Sequence, residues 1–129
     1  MNILKRKYRY FDPLTAIAGA IVLGSIVFWI NFDHGTGKAL IAAAKQGLYT
    51  FVAGGFIMKF CENIALYFSN KALALFLAVL LPTLLAVLFT YIIHTIRGTP
   101  EPLNSTIPTM ILAPMGFGWW AARAVGGRR

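Results

Sequence analysis

Residues 72–93 form a run of twenty-two residues without a single charge, and no other feature constrains the fold so strongly. As a helix the run would be about 33 Å long, against a hydrocarbon core of about 30 Å in a typical bilayer. Inside lipid the backbone has no water to bond to, so a lone span must be helical. Pro82 lies near the middle of the run. It lacks an amide donor, which predicts a kink in this span.

Two further runs have nearly the same length. Residues 13–32 and 103–122 each hold twenty uncharged residues. The first follows Lys5, Arg6, Lys7 and Arg9. A basic start before an apolar run also fits a signal peptide. Here the run continues through Phe28, Trp29 and Ile30 with no small-residue cleavage site after it, so an uncleaved span is expected. Ala16, Ala20 and Gly24 recur every four residues and give that helix one face small enough for close contact. The 103–122 run opens on Asn104, Ser105 and Thr106, so Ser105 or Thr106 is expected to cap it, with Pro108 in the first turn. Pro114, Gly116 and Gly118 predict a short helix or one broken at Pro114, and Trp119 and Trp120 suit a membrane–water interface.

Residues 38–63 are harder to place. The charge-free core, 47–58, has twelve residues, about 18 Å of helix. Extending it back to Ala39 immerses Lys45, which can snorkel toward headgroups. Extending it forward immerses Lys59, Glu62 and Asn63 together, at greater cost. A span over 39–58 is the better choice, and the distribution of charge agrees. With four spans, Lys5, Arg6, Lys7, Arg9, Lys59, Lys71, Arg123, Arg128 and Arg129 share one side, and only Lys38 and Arg97 lie on the other. That asymmetry predicts both termini in the cytoplasm, of a bacterial inner membrane. With 38–63 lying on the surface instead, the asymmetry would be lost.

The expected architecture is therefore an all-α integral membrane protein, one transmembrane domain over residues 1–129. Four helices, near 13–32, 39–58, 72–93 and 103–122, form a compact bundle. Composition agrees: 58% of the residues are hydrophobic and 12% charged, where a soluble domain carries about 25% charged residues. The formal net charge of +8 flanks apolar runs rather than covering a solvated face. It points to anionic lipid headgroups and away from nucleic acid. Cys61 is the single cysteine, so no intrachain disulfide forms.

On the helix through 38–63, Lys38, Lys45, Val52, Lys59 and Asn63 fall on one stripe and Ala43, Gly47, Thr50, Gly54 and Cys61 on the opposite one. Lys59 and Glu62 are three residues apart and can pair. Candidate ligand-binding residues are Lys45, Lys59, Glu62, Asn63 and, next to Pro82, Thr83. Lys45 is the residue least explained by a helix end; snorkelling and an anion in a cavity are the two alternatives. His34, His94, Asp33 and Glu101 share the external side and are the candidate metal ligands, although no spacing forces them together. The same groups are the only acid–base candidates, and no nucleophile accompanies them. The stretch "DHGTGKA" fails the phosphate-loop pattern, since Phe32 stands where a glycine belongs and Ala39 follows the Gly-Lys pair. Asn104–Ser105–Thr106 matches the glycosylation triplet, a pattern too common to weigh much beside its reading as a helix cap. In size the chain resembles small multidrug carriers and fluoride channels, without their motifs.

These features lead to two functional expectations, neither with a cofactor. The first is a non-enzymatic accessory or assembly component, packed against other membrane proteins or copies of itself. The alternative is an oligomeric carrier or channel-like protein for an anionic lipid or small solute, since broken helices often frame transport sites.

Overall fold

A computed structural model describes Phe11 and residues 13–127; the basic residues at positions 5–9 and 128–129 lie outside the described residues. Four helices follow one another: α1 (Pro13–Asn31), α2 (Thr36–Tyr67), α3 (Lys71–Ile96) and α4 (Pro102–Gly126). Three of them, α1 with its 3-10 extension to His34, α2 and α3, are long and apolar enough to cross a membrane.

The connections are built from local chemistry. A 3-10 turn, Phe32–His34, leads from α1 into Gly35, whose φ of +104° falls in the left-handed region that glycine reaches without a Cβ clash. At the start of α3 the Asn70 side chain accepts a hydrogen bond from the Leu73 amide at 3.1 Å, closing the first turn as an N-cap. α3 ends in a Schellman motif. Gly98 has φ +67°, its amide bonds the Thr95 carbonyl at 3.3 Å, and the Thr99 amide bonds the His94 carbonyl at 3.0 Å.

α4 departs from the expected start. Pro102 occupies the first turn, Glu101 is the N-cap residue, and the Ser105 amide bonds the Glu101 carbonyl at 2.8 Å. The helix thus begins before Ser105 and Thr106, because a proline in the first turn loses no bond it would otherwise make. Nor is α4 short or broken. It runs 25 residues through both Pro108 and Pro114.

α2 touches every other helix, whereas α1 and α4 meet sparsely. The small faces of α1 and α2 face each other. A Cβ added at Gly24 would lie 3.3 Å from the Ala43 carbonyl oxygen and 3.8 Å from the Gly47 Cα. Before α1, the Phe11 ring packs over Gly55 and meets Phe51 and Phe56 edge-on at 5.5 and 5.2 Å. The core between α2, α3 and α4 is built largely of alanines (Ala65, Ala74, Ala78, Ala86, Ala121) around Cys61 and Phe117.

Large apolar side chains are arranged the other way. Leu14, Leu48, Phe76, Leu84 and Met115 point outward. The buried polar side chains include Asn31, Gln46, Thr90, His94 and Ser105. Small and polar inside with bulky and apolar outside is the arrangement of a protein solvated by lipid. Rings gather near both ends of the bundle: Phe28, Trp29 and Phe32 in one group, Trp119 and Trp120 in another. These are the positions of interfacial aromatic belts. The Arg123 guanidinium stands over the Trp119 ring at 4.8 Å.

α2 is longer than the expected span 39–58. Its 32 residues cover about 48 Å, more than the hydrocarbon thickness. Lys45 and Lys59 are separated by about 21 Å along it.

Candidate functional site

The polar groups collect at the end that carries the α1–α2 and α3–α4 turns. His94, fully buried on α3, bridges two elements. Its Nδ1 lies 2.8 Å from the Thr99 hydroxyl and its Nε2 lies 2.8 Å from Gln46 Oε1. The Gln46 amide nitrogen then donates to Thr50 Oγ1 at 2.8 Å. A carbonyl oxygen only accepts, so with this amide assignment His94 carries its proton on Nε2 and Thr99 donates to Nδ1. The chain of bonds runs one way, Thr99 to His94 to Gln46 to Thr50.

A second set ties α1 to α4. The Asn31 side-chain nitrogen donates to Ser105 Oγ at 2.7 Å and to the Val27 carbonyl at 2.9 Å. Its oxygen accepts the Glu101 amide at 3.2 Å. Nearby, His34 Nε2 pairs with Glu101 Oε1 at 2.9 Å, and Asn104 donates to the other Glu101 oxygen at 2.9 Å.

Of the metal candidates, the structure brings His34 and Glu101 together, while His94 is held by Thr99 and Gln46. Among the described residues no three His, Cys, Asp or Glu side chains gather as a metal site would require.

The ligand candidates are spread across the bundle. The Lys45 ammonium donates to the Arg97 carbonyl at 2.6 Å. Arg97 is the C-cap of α3, so a cation meets the negative end of a helix dipole. Lys59 and Glu62 form a nearly buried pair at the opposite end of α2, 3.1 Å apart, and the Trp120 indole donates to the same Glu62 oxygen at 3.2 Å. Asn63 is exposed. Thr83 Oγ1 is buried without a hydrogen-bond partner among the described residues, beside Pro82, which is itself buried.

A cavity lined by residues of all four helices has a volume of about 330 Å³. Gln46, Tyr49, Thr50, Thr90 and Thr109 give it a polar end. Ile57, Met58, Ala113 and Phe117 line the rest with apolar surface. Gln46 and Asn31 are not singled out by the sequence. Their signal was available, since a carboxamide or hydroxyl inside an apolar run marks an interhelical contact or a cavity.

Comparison with protein-family models, with curated proteins and with solved structures finds no match to this chain.

Proposed function

We propose that this chain is a non-enzymatic accessory or assembly component of a larger membrane complex, with the outward face of α4 as its contact surface. The observation that carries this reading is Pro114. It removes the helical donor of the Met110 carbonyl, and Met110, Ile111 and Met115 are exposed. A carbonyl without its donor on a lipid-facing surface is costly, and a neighbouring chain relieves it. α4 is also the helix not apolar enough to be counted among the three candidate spans, which suits a helix sheltered on both sides. The buried polar side chains support the same reading. Asn31, Gln46, His94 and Ser105 are committed to bonds between elements, which hold a scaffold in one arrangement.

A photo-crosslinking residue at Ile111 or Met115, introduced in native membranes, tests it. The expected result is one discrete adduct from both positions, absent when the crosslinker replaces exposed Leu84 on α3. An adduct near twice 14.2 kDa identifies a second copy of the chain. No adduct from either α4 position contradicts the proposal.

The carrier reading is favoured by one observation, the cavity, but its cation is engaged elsewhere, on Arg97. Its test is flux of an anionic solute in proteoliposomes. Lys45→Leu abolishes flux if that lysine meets the anion, and equal flux removes the anion-carrier reading.

A further inference from the structure

We propose that the cavity lined by all four helices binds an uncharged, single-chain amphiphile whose head carries a hydroxyl, a long-chain alcohol or a monoacylglycerol. This site does not depend on whether a partner sits on α4.

Shape gives the first argument. From Gln46 to Met58 the cavity follows twelve residues of α2, about 18 Å of helix. A cavity of about 330 Å³ drawn out along that length suits an extended chain better than a compact solute. The volume also falls at the small end of ligand pockets, roughly 300–1,000 Å³.

Chemistry gives the second. Thr90 and Thr109 line the polar end and are 1% and 3% exposed; among the described residues the Thr109 hydroxyl has no hydrogen-bond partner. Thr90 has the Tyr49 hydroxyl as its side-chain hydrogen-bond neighbour, and Tyr49 itself donates to the Ala86 carbonyl at 3.2 Å. Buried hydroxyls without partners are expensive. Thr50 ends the chain of bonds from His94 as an acceptor, so its own proton is left for another group. Such an end offers donors and acceptors together, and a ligand hydroxyl can answer both. Among the described residues no Asp, Glu, Lys, Arg or His lines the cavity, which disfavours a carboxylate, phosphate or ammonium head.

Access gives the third. Ala18 and Val22 of α1 and Gly116 of α4 line the cavity and are also exposed on the outer surface. The mouth therefore opens between α1 and α4, which meet only sparsely, toward the acyl chains from which such a ligand comes.

The probes are three diazirine-bearing sixteen-carbon chains ending in a hydroxyl, a carboxylate or a trimethylammonium, applied to the whole protein in lipid nanodiscs. The alcohol is expected to label α1 and α4 around the cavity in a saturable manner, competed by unlabelled alcohol, while the charged chains label diffusely. Replacing Thr90 and Thr109 together by valine removes two hydroxyls and keeps the shape. Saturable labelling then falls roughly tenfold without loss of thermal stability. Gly116→Leu, where an added Cβ meets nothing within 4 Å, narrows the mouth and lowers labelling too. Equal labelling by all three heads, or unchanged saturable labelling in the valine variant, overturns the proposal in favour of water or passing lipid in the cavity.

Discussion

His94 Nε2 and Gln46 Oε1 lie 2.8 Å apart although 48 residues separate them in the chain, and both side chains are almost fully buried. This bond joins α3 to α2 where two turns meet. Removing either partner leaves the other's buried polar atoms without their bond. Gln46→Leu or His94→Leu alone is expected to destabilise the bundle by about 1–3 kcal/mol. The pair together is expected to cost less than the sum, with a coupling of about 0.5–2 kcal/mol. Thermal unfolding of the four proteins in one detergent measures the cycle, and additive losses would show that the bond contributes nothing.

Lys45 is engaged on the Arg97 carbonyl, so its replacement has two opposed effects. Lys45→Leu loses a charge-assisted bond of about 1.5–3 kcal/mol. It also relieves the insertion cost of an immersed cation, up to about 2.5–3.5 kcal/mol and less away from the bilayer centre. Stability is expected to stay within about 1 kcal/mol of the parent by this balance. Lys45→Glu sets a negative charge against the helix C-terminus and is expected to cost about 2 kcal/mol or more. Denaturation in mixed micelles separates the two variants, and equal stability would remove the capping role.

At the other end of α2, Lys59 and Glu62 are 10% and 13% exposed, so each depends on the other. Glu62→Leu leaves a buried cation and is expected to lower stability by about 3 kcal/mol or more. Lys59→Leu with Glu62→Leu is expected to recover most of that loss, because replacing a buried pair by apolar groups is often neutral. Trp120 fluorescence reports the site directly, since its indole bonds the same carboxylate. An unchanged Trp120 environment in Glu62→Leu would contradict the arrangement.

The contact between α1 and α2 depends on small residues. Gly24→Val places methyl groups where a single Cβ already comes within 3.3 Å of the Ala43 carbonyl, and is expected to cost about 1–3 kcal/mol. Gly37, in the first turn of α2, has open space around its would-be Cβ. Gly37→Ala is expected to be neutral or stabilising by up to about 1 kcal/mol. Thermal unfolding of the two variants gives the comparison; a neutral Gly24→Val would mean that the helices are not in close contact there.

The spans of α1 and α3 were legible because charge is absent over the whole thickness of a bilayer, a signal that needs no partner to read. The small faces of α1 and α2 were equally local, recurring every turn at Ala16, Ala20 and Gly24 and again at Ala43, Gly47 and Gly54. The length of α2 was not legible. Lys59 and Glu62 look prohibitive singly, and only Trp120, 58 residues from Glu62, helps to show why they are tolerated as a pair. Long-range partners hid the candidate site as well. Asn31 reads as the end of a span until Ser105, 74 residues on, is placed beside it. In α4 Pro114 reads as a break, yet the helix is continuous through it.

Three helices, α1, α2 and α3, are long and apolar enough to cross a membrane; we propose that the less apolar α4 crosses with them. Single cysteines at Lys38, Ser69 and Gly127, in a Cys61→Ala background, test it with a membrane-impermeant maleimide. In intact cells Lys38→Cys is expected to label, whereas Ser69→Cys and Gly127→Cys label only after the membrane is opened. Labelling of Gly127→Cys alongside Lys38→Cys in intact cells would mean that α4 does not cross, and would contradict the four-span bundle.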